Sequence, residues 1–383
     1  MSISSNHENG SGINFIIAEG YVNRVMVSGV TGFLGSAIAA SFLKSGKEVH
    51  GLTRNDETGQ RARQAVLSAA RGFGWDISEE IRRGFHVVNV DFMNMKQNLL
   101  DKKLPPMDAI WHVAAEMSYL SQKLSKAFQV NVNSTMDLYE FLVESSSSKK
   151  RFYYVSTAYV AGMQGGIVKE RLHSRAELIN TYQVTKWSAE QALHLGFLDT
   201  GVPVTLFRPS VVVGHRQTGW ALRNGFGFYM FLEAMLRAAN AGCRDLLVDL
   251  EGSARPDLVT VDQVVGDALA LTGRPDQPCF WEVFHCSGGV NENIESLVGI
   301  WARAAGLQAA IGLPVTNIDR MLNKAISLNR PFANQEWLFD RRLLDKAVGR
   351  DSPVPPLQYD ELTMLCEKYA SEVAEASRYG VRS

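Results

Sequence analysis

The chain lacks the features that mark several protein classes. Its 383 residues include four cysteines, and their spacing shows none of the short pairs that zinc and iron–sulfur sites use. Lysine and arginine together number 39 against 40 acidic residues, so the formal net charge of -1 offers no basic field to nucleic acid or anionic lipid. No uninterrupted apolar run reaches the ~18 residues of a membrane-spanning helix. We therefore predict no metal site, no nucleic-acid partner and no membrane anchor.

The N-terminus also lacks a targeting signal. Residues 1–12 are rich in Ser, Asn and Gly and contain neither the basic nor the apolar block of a signal peptide. Hydrophobic residues at 46% and charged residues at 21% are typical of a folded globular protein. We expect a cytoplasmic protein with a flexible tail over residues 1–20, and a length that suits one large domain with a smaller lobe.

Strand-like and helix-like segments alternate over the first half of the chain. Arg24–Ser28 is a short apolar strand that passes through glycines into a helix-like segment, Phe33–Leu43. Further strands are predicted at Glu48–Thr53, His86–Val90, Ala109–Val113, Arg151–Val155 and Val204–Phe207, and further helices at Arg61–Ala70, Gln122–Glu144 and Tyr182–Leu198. This alternation predicts an α/β fold with a Rossmann-like, doubly wound parallel sheet.

The alternation weakens beyond Val211. A segment rich in glycine and aromatic residues, 219–231, is followed by helix-like stretches at Ile294–Ala305 and Asp360–Ala376. We predict a dinucleotide-binding Rossmann domain over residues 21–210 and a smaller, mostly helical substrate-binding lobe over residues 211–383. Segments of the lobe can return to the Rossmann domain.

The sequence GVTGFLG stands between the first predicted strand and the first predicted helix. Its glycines permit a tight turn and the close approach of a ligand, and the helix that follows presents free N–H groups to a pyrophosphate. The spacing differs from GxGxxG, and the alternative is a structural turn without a ligand. The position between strand and helix favours a dinucleotide site, formed by Gly29, Thr31, Gly32, Phe33, Leu34 and Gly35.

The end of the second predicted strand bears on the choice between NADH and NADPH. An enzyme that prefers NADH usually places an acid there, against the ribose 2′-hydroxyl, whereas a 2′-phosphate needs a cation. Here the strand ends in Arg54, and the first acidic residue after it is Asp56. Arg54 therefore predicts NADPH as the cofactor, with Arg61 and Arg63 as possible helpers. The alternative is that Arg54 is a solvated surface charge.

Three residues form a candidate catalytic set. Tyr182 and Lys186 have the spacing YxxxK, which puts both side chains on one face of a helix, one turn apart. An ammonium beside a phenol favours the phenolate, so we expect Lys186 to lower the pKa of Tyr182. Thr157 follows a predicted strand and supplies a hydroxyl that can polarise the same substrate oxygen.

Five motifs in order resemble the extended short-chain dehydrogenase/reductase family: GVTGFLG, DAIWHVAA, VSTAYVAG, YQVTK and FRPSVVVG. Within that family, STAYV, GGIVKE, TGW followed by NGFGF, and DLVTVDQVV resemble the thioester reductase branch. This branch includes fatty acyl-CoA reductases, male sterility proteins and the terminal domains of carboxylic acid reductases. The resemblance covers residues 25–271.

The resemblance implies a role for individual residues. Thr157 and Tyr182 match the pair that binds the substrate oxygen, and Lys186 matches the lysine that also contacts the nicotinamide ribose. His112 falls in the loop along the pyrophosphate, where a packed residue without chemistry is the favoured interpretation. Asn131 matches the asparagine of a family motif, but Ser134 stands where that motif usually has glycine. The other cofactor contacts implied are Asp91, Phe92, Ala114, Ala115, Asn131, Pro209 and Ser210.

The reaction implied is the NADPH-dependent reduction of an acyl thioester. Thr157 and Tyr182 would hold the developing oxyanion, and collapse of the hemithioacetal would release a thiol and an aldehyde. A second reduction would give the alcohol. The acyl group would arrive on coenzyme A or on an acyl or peptidyl carrier protein, which is then a transient partner.

The aromatic segment at residues 219–231 is a candidate acyl channel, with a packed core as the alternative interpretation. The substrate contacts predicted are Met117, Ala158, Tyr159, Trp220 and Phe226. Two other activities remain open on the same scaffold, an aldehyde or ketone reductase and a sugar-nucleotide epimerase or dehydratase. A non-enzymatic NADPH-binding sensor is a third possibility, but such a protein would be expected to have lost part of the catalytic set.

Overall fold

The computed structural model describes residues 22–147, 150–223, 227–274, 280–289 and 292–378. The predicted tail over residues 1–20 and the predicted substrate contact Phe226 lie outside the described residues. None of the described helices has the length and hydropathy that crossing a membrane requires.

A parallel sheet of seven strands forms the centre of the protein. The described strands are β1 (Arg24–Ser28), β2 (Glu48–Thr53), β3 (Phe85–Asn89), β4 (Ala109–His112), β5 (Arg151–Val155), β6 (Gly166–Val168), β7 (Val204–Pro209), β8 (Val211–Val213), β9 (Asp245–Val248), β10 (Leu258–Thr260), β11 (Glu282–Cys286), β12 (Gln308–Ile311) and β13 (Trp337–Phe339). The central sheet has the order β11-β7-β5-β4-β1-β2-β3. Because β1 lies between β2 and β4, the strand order reverses there, and ligands of doubly wound sheets bind at such a reversal.

Helices cover both faces of this sheet. They are α1 (Phe33–Lys44), α2 (Gln60–Gly72), α3 (Ser78–Gly84), α4 (Met95–Asp101), α5 (Leu124–Phe128), α6 (Ser134–Val143), α7 (Thr181–Thr200), α8 (Phe228–Asn240), α9 (Val261–Thr272), α10 (Ile294–Ala305), α11 (Asn317–Ile326), α12 (Arg330–Ala333), α13 (Arg342–Ala347) and α14 (Tyr359–Arg378). Helices α1, α2 and α9 cover one face, and α4, α6 and α7 cover the other. The predicted α/β, Rossmann-like doubly wound fold is therefore confirmed.

Burial on both faces explains why the middle of β1 is apolar without alternation. In β1, Val25 and Val27 pack into the core beneath α1, α2 and α9, while Met26 points to the core beneath α4, α6 and α7. Alternate residues of a strand face opposite sides, so apolar residues follow one another directly in a strand whose two faces are both covered.

The predicted helix over Gln122–Glu144 is interrupted. A 3₁₀ turn at Ser121–Lys123 leads into α5, a π-helical turn follows at Gln129–Asn133, and α6 begins only after it. The buried side chain of Asn131 lies in this π turn, where its amide bonds with groups outside the helix. The spacing of apolar residues in the sequence does not indicate such a bulge.

The second half of the chain builds a lobe with its own core and also returns to the sheet. Helices α8, α10, α11 and α14 pack together around the short parallel pair β9 and β12. Between these lobe segments, α9 packs on α1, and β11 pairs with β7 as the outer strand of the central sheet. Residues beyond 211 therefore contribute both to the lobe and to the Rossmann sheet.

Candidate active site

A cavity of about 590 Å³ opens at the carboxyl ends of β1, β2, β4, β5 and β7 and extends to the lobe. It passes the strand-order reversal beside β1, where the fold predicts a ligand. Most of the residues predicted to contact the cofactor line it: Gly29, Thr31, Gly32, Phe33, Leu34, Gly35, Arg54, Phe92, Ala114, Ala115, Tyr182, Lys186, Pro209 and Ser210.

The glycine turn is shaped so that side chains are excluded. Gly29 has a φ of +73°, and a Cβ on it would lie 2.9 Å from the backbone nitrogen of Ala114. A Cβ on Gly35 would lie 2.1 Å from the carbonyl oxygen of Gly29. Within the described residues, no side chain caps the start of α1 and no acid stands in its first turn. The free N–H groups of that turn therefore fit an anionic pyrophosphate.

Two arginines stand where the adenosine ribose of a bound dinucleotide would lie. Arg54 and Arg61 both line the cavity, and the Arg61 guanidinium donates a hydrogen bond to the Arg54 carbonyl oxygen over 2.8 Å. The Arg54 guanidinium lies 5.9 Å from the centre of the Phe92 ring. Asp56 does not compete for this place, because its carboxylate accepts the N–H groups of Arg61 and Ala62 at the start of α2.

Two predicted cofactor contacts are placed elsewhere. The exposed Asp91 does not line the cavity, and its carboxylate accepts the N–H of Met93. Asn131 is buried behind the cavity, where its amide bonds both backbone polar groups of Glu116 and the hydroxyl of Thr185 on α7. Asn131 therefore holds the loop after β4 against α7 instead of facing the cofactor cavity.

His112 likewise lies outside the cavity lining. Its Nδ1 is 2.7 Å from the Ser28 hydroxyl oxygen, which accepts the N–H groups of Val113 and Ala114. Complete burial lowers the pKa of His112 to about 3, so the imidazole is neutral and accepts the hydroxyl proton. This arrangement fixes the loop that follows β4, along the predicted pyrophosphate position.

Two buried hydroxyl groups in the cavity wall support the presence of a bound cofactor. The hydroxyl oxygens of Thr53 and Ser156 have no hydrogen-bond partner among the described residues. Buried polar groups are rarely left unpaired in folded proteins, because the loss of hydration is not offset. A polar ligand such as a nicotinamide dinucleotide would satisfy both groups, so the residues present fit that cofactor.

The three predicted catalytic residues meet in this cavity. Tyr182 and Lys186 both line it from the first two turns of α7, and Thr157 lines it from the loop after β5. The Asn180 side chain caps α7 through the N–H of Gln183. The Thr157 hydroxyl oxygen accepts a backbone N–H over 3.3 Å, so its own proton can be donated to a substrate oxygen.

The electrostatics of the catalytic pair differ from the expectation. Burial raises the pKa of Tyr182 above that of free tyrosine, and burial lowers the pKa of Lys186 to about 7. The Lys186 ammonium donates to the Val155 carbonyl oxygen over 2.7 Å and lies 4.5 Å from the centre of the Tyr154 ring. Tyr182 is thus a neutral phenol near pH 7, which is the form that can donate a proton.

Aromatic and aliphatic side chains form the lobe end of the cavity. Met117 and Tyr159, both predicted substrate contacts, line it. Tyr119 lines it as well, with its ring stacked 6.2 Å from that of Tyr182, and Phe332 of α12 lies 5.9 Å from the Tyr119 ring. The cavity therefore continues from the catalytic set into an apolar region.

The remaining described substrate predictions are not at this surface. Ala158 is fully buried in the 3₁₀ turn after Thr157 and does not line the cavity. Trp220 lies in the core beside α1 and α2, with its ring 5.1 Å from Phe33 and 5.8 Å from Phe73. Trp220 is therefore a core residue and does not line the cavity.

The aromatic segment after Trp220 mainly forms core. Phe228 and Phe231 pack on Trp301 of α10, with ring centres 5.3 and 4.8 Å away. In this segment Tyr229 reaches the cavity, and its hydroxyl accepts the N–H of Gly214 over 3.0 Å. The packed-core interpretation therefore holds for most of the described aromatic residues here.

Several cavity residues were not predicted from the sequence. They include Tyr119, Val130, Gln183, Leu222, Asn329 and Phe332. Asn329 and Phe332 come from the lobe, more than 140 residues after Tyr182 in the chain, so no local spacing connects them to the catalytic set. Gln183 adjoins Tyr182 within YQVTK, and that adjacency was the one available signal.

Structures of other proteins share this fold. The terminal R domain from the myxalamid PKS-NRPS biosynthetic pathway matches with a TM-score of 0.72 at 20% identity, covering 94% of this chain and 92% of that chain. UDP-glucuronic acid 4-epimerase from Bacillus cereus, solved in complex with NAD, matches with a TM-score of 0.65 at 19% identity, covering 92% and 98% of the two chains. At such identities the similarity establishes the fold alone.

Sequence comparison establishes the family. A nonribosomal peptide synthetase, FrzA, from Cladobotryum sp is 24% identical over 267 residues, which make up 66% of this chain and 25% of that protein. The chain spans a quarter or less of the length of the first curated relatives that it matches. A family model described as male sterility protein matches residues 27–267, well over half of the chain. The chain therefore belongs to the male sterility protein family, within the extended short-chain dehydrogenases/reductases.

Proposed function

We propose that this oxidoreductase catalyses the NADPH-dependent reduction of an acyl thioester to an aldehyde. The observation that carries the proposal is the joint position of Thr157, Tyr182 and Lys186 in one cavity, between the glycine turn and an apolar lobe surface. Bound NADPH would supply the hydride. Gly29, Gly32 and Gly35 would hold its pyrophosphate, and Arg54 with Arg61 would hold its 2′-phosphate.

Residues of the chain would stabilise the developing negative charge and supply the proton. Thr157 and Tyr182 donate hydrogen bonds to the thioester carbonyl oxygen, which becomes negatively charged as the carbon is reduced. Tyr182 then transfers its proton to that oxygen, and the nearby Lys186 ammonium stabilises the phenolate left behind. The hemithioacetal breaks its C–S bond, which leaves the aldehyde and a thiol.

The apolar end of the cavity supports a substrate with an acyl chain. Tyr119, Tyr159 and Phe332 present ring surface next to Tyr182, where the group attached to the reacting carbonyl would lie. The similarity to a nonribosomal peptide synthetase and to the R domain of a PKS-NRPS pathway supports an acyl or peptidyl carrier protein as the carrier of the acyl group. Coenzyme A is the alternative carrier.

The substrate assay distinguishes the proposal from its alternatives. Purified protein is expected to oxidise NADPH with acyl coenzyme A or acyl-pantetheine and to release one thiol per aldehyde formed, measured with a thiol reagent. The ratio of NADPH consumed to thiol released separates aldehyde from alcohol as the product. Turnover of ketones or sugar nucleotides, with no thiol released from any thioester, would instead favour the carbonyl reductase or epimerase activity. The Bacillus cereus enzyme shows only that a protein of this fold can be an epimerase.

Substitution of Arg54 by alanine tests the cofactor. A guanidinium–phosphate contact contributes about 1.5–3 kcal/mol, so its loss is expected to weaken NADPH binding roughly 10- to 100-fold. NADH lacks the 2′-phosphate, and its dissociation constant is expected to change less than about threefold. Fluorescence titration with each nucleotide measures both constants.

Arg63 provides the matched control for this experiment. Arg63 lies on α2, two residues after Arg61, but its guanidinium donates to the Phe85 carbonyl oxygen and it does not line the cavity. The Arg63→Ala protein is expected to keep the wild-type preference for NADPH over NADH. If Arg54→Ala leaves that preference unchanged, Arg54 does not contact the cofactor.

A further inference from the structure

A second group of polar side chains lies toward the amino ends of β2 and β3, whereas the cavity lies at the carboxyl ends of the strands. Glu48 opens β2, His50 follows two residues later on the same face, and His86 on β3 is the direct neighbour of His50 in the strand register. About 16 Å of extended strand separates Glu48 from Thr53, which lines the cofactor cavity. This cluster is therefore separate from the candidate active site.

The three side chains converge on one point. The His50 Nε2 atom lies 2.9 Å from Glu48 Oε1, and the His86 Nε2 atom lies 3.5 Å from the same oxygen. One potential ligand atom from each residue lies within 4.8 Å of the other two. Ligands of a tetrahedral zinc ion with bonds of 2.0–2.1 Å are about 3.3 Å apart, so small side-chain rotations suffice to surround an ion.

We propose that Glu48, His50 and His86 bind a divalent transition-metal ion, with Zn²⁺ as the best fit. Two imidazoles and one carboxylate form a zinc ligand set known from proteins, and a water molecule would complete the tetrahedron. His86 and Glu48 are partly exposed, so an ion can enter from solvent, while His50 is buried and fixed by the sheet.

The charges around the cluster are compatible with a cation. Arg24 donates to Oε2 of Glu48 over 3.1 Å, which leaves Oε1 facing the two imidazoles. The Nδ1 atom of His50 has no partner among the described residues and can carry the ring proton when Nε2 binds metal.

The position of the cluster indicates what the ion would do. Strand β3 is the outer strand on its side of the sheet, and its hydrogen-bonded neighbour within the sheet is β2. A metal held by His86 on β3 and by two residues of β2 would link these strands. Because the ion binds the folded sheet, excess zinc is expected to raise the melting temperature, by an amount that grows with the logarithm of the ratio of free zinc to its dissociation constant.

The experiment uses the full chain without an affinity tag, stripped with chelator. Calorimetric titration with Zn²⁺ is expected to show one ion per chain. Co²⁺ in place of Zn²⁺ is expected to give visible d–d absorption without a thiolate charge-transfer band, because no cysteine belongs to the cluster. His86→Gln is expected to weaken Zn²⁺ binding at least about tenfold, since even indirect partners of a metal contribute that much.

His194→Gln is the matched control, because this partly exposed histidine lies on α7 beside Trp281 and far along the chain from the cluster. It is expected to bind Zn²⁺ as the wild type does. Melting in excess chelator checks that both variants fold equally well. The proposal is overturned if the wild type shows no stoichiometric binding, if His86→Gln keeps wild-type affinity, or if His194→Gln loses as much. NADPH titrations are expected to be unchanged in either variant.

Discussion

Replacing Tyr182 by phenylalanine is expected to lower kcat by about 10²- to 10⁴-fold, the usual contribution of a positioned proton donor. The substitution removes one hydroxyl and keeps the ring that stacks on Tyr119, so the cavity wall stays in place. Burial raises the pKa of Tyr182, which keeps the phenol protonated near pH 7 and ready to donate. Steady-state kinetics with a thioester substrate measures the loss.

Two measurements make this prediction specific. The dissociation constant of NADPH is expected to change less than about threefold, because Tyr182 acts on the substrate oxygen and the nucleotide has many other contacts. Tyr119→Phe removes a second phenol in the same cavity, and its expected effect on kcat is far smaller because Lys186 lies one helical turn from Tyr182. Equal losses in the two variants, or equal losses of turnover and NADPH binding, would contradict the role assigned to Tyr182.

Glu190→Ala is expected to cause the largest loss of stability. Glu190 on α7 and Arg208 on β7 are both fully buried and form a bidentate pair with distances of 2.8 and 2.6 Å. Removal of the carboxylate leaves the guanidinium charged and uncompensated in the core, which lowers the free energy of unfolding by about 3–5 kcal/mol. Urea unfolding followed by circular dichroism measures the change.

An exposed ion pair and a double variant serve as controls. Glu79→Ala removes the partner of Arg82 on the surface helix α3 and is expected to change the unfolding midpoint little, because solvent screens that pair. Adding Arg208→Met to Glu190→Ala removes the uncompensated charge, so the double variant is expected to be no less stable than the single one. A midpoint for Glu190→Ala equal to that of Glu79→Ala would show that the pair contributes little.

Much of the Rossmann half could be predicted because its signals are local. β1 and α1 follow one another as an apolar run, a glycine turn and a helical repeat, and the predicted bounds differ from the observed ones by one residue at the end of α1. Thr31, between β1 and α1, and Arg54, directly after β2, were predicted from the same kind of local signal and line the cavity.

The substrate side could be predicted only in part, at Met117 and Tyr159, because long-range packing builds the rest. Composition marks 219–231 as aromatic, but only the packed lobe determines that Trp220 turns into the core while Tyr229 reaches the cavity. Asn131 illustrates a different difficulty. A family motif suggested Asn131 as a cofactor contact, but the buried contacts with Glu116 and Thr185 determine where its amide points. The proposed metal site has no local sequence signal, because Glu48 and His50 adjoin His86 only across two paired strands.

The pairing of β11 with β7 limits how the chain can be divided. A polypeptide ending at residue 210 would keep the glycine turn and the catalytic set but would leave the backbone polar groups of β7 unpaired along one side. Open strand edges of this kind invite association with other chains. Grafting a new lobe onto this enzyme would therefore require exchange of at least two separate stretches, one before and one after β11, with the outer strand itself retained.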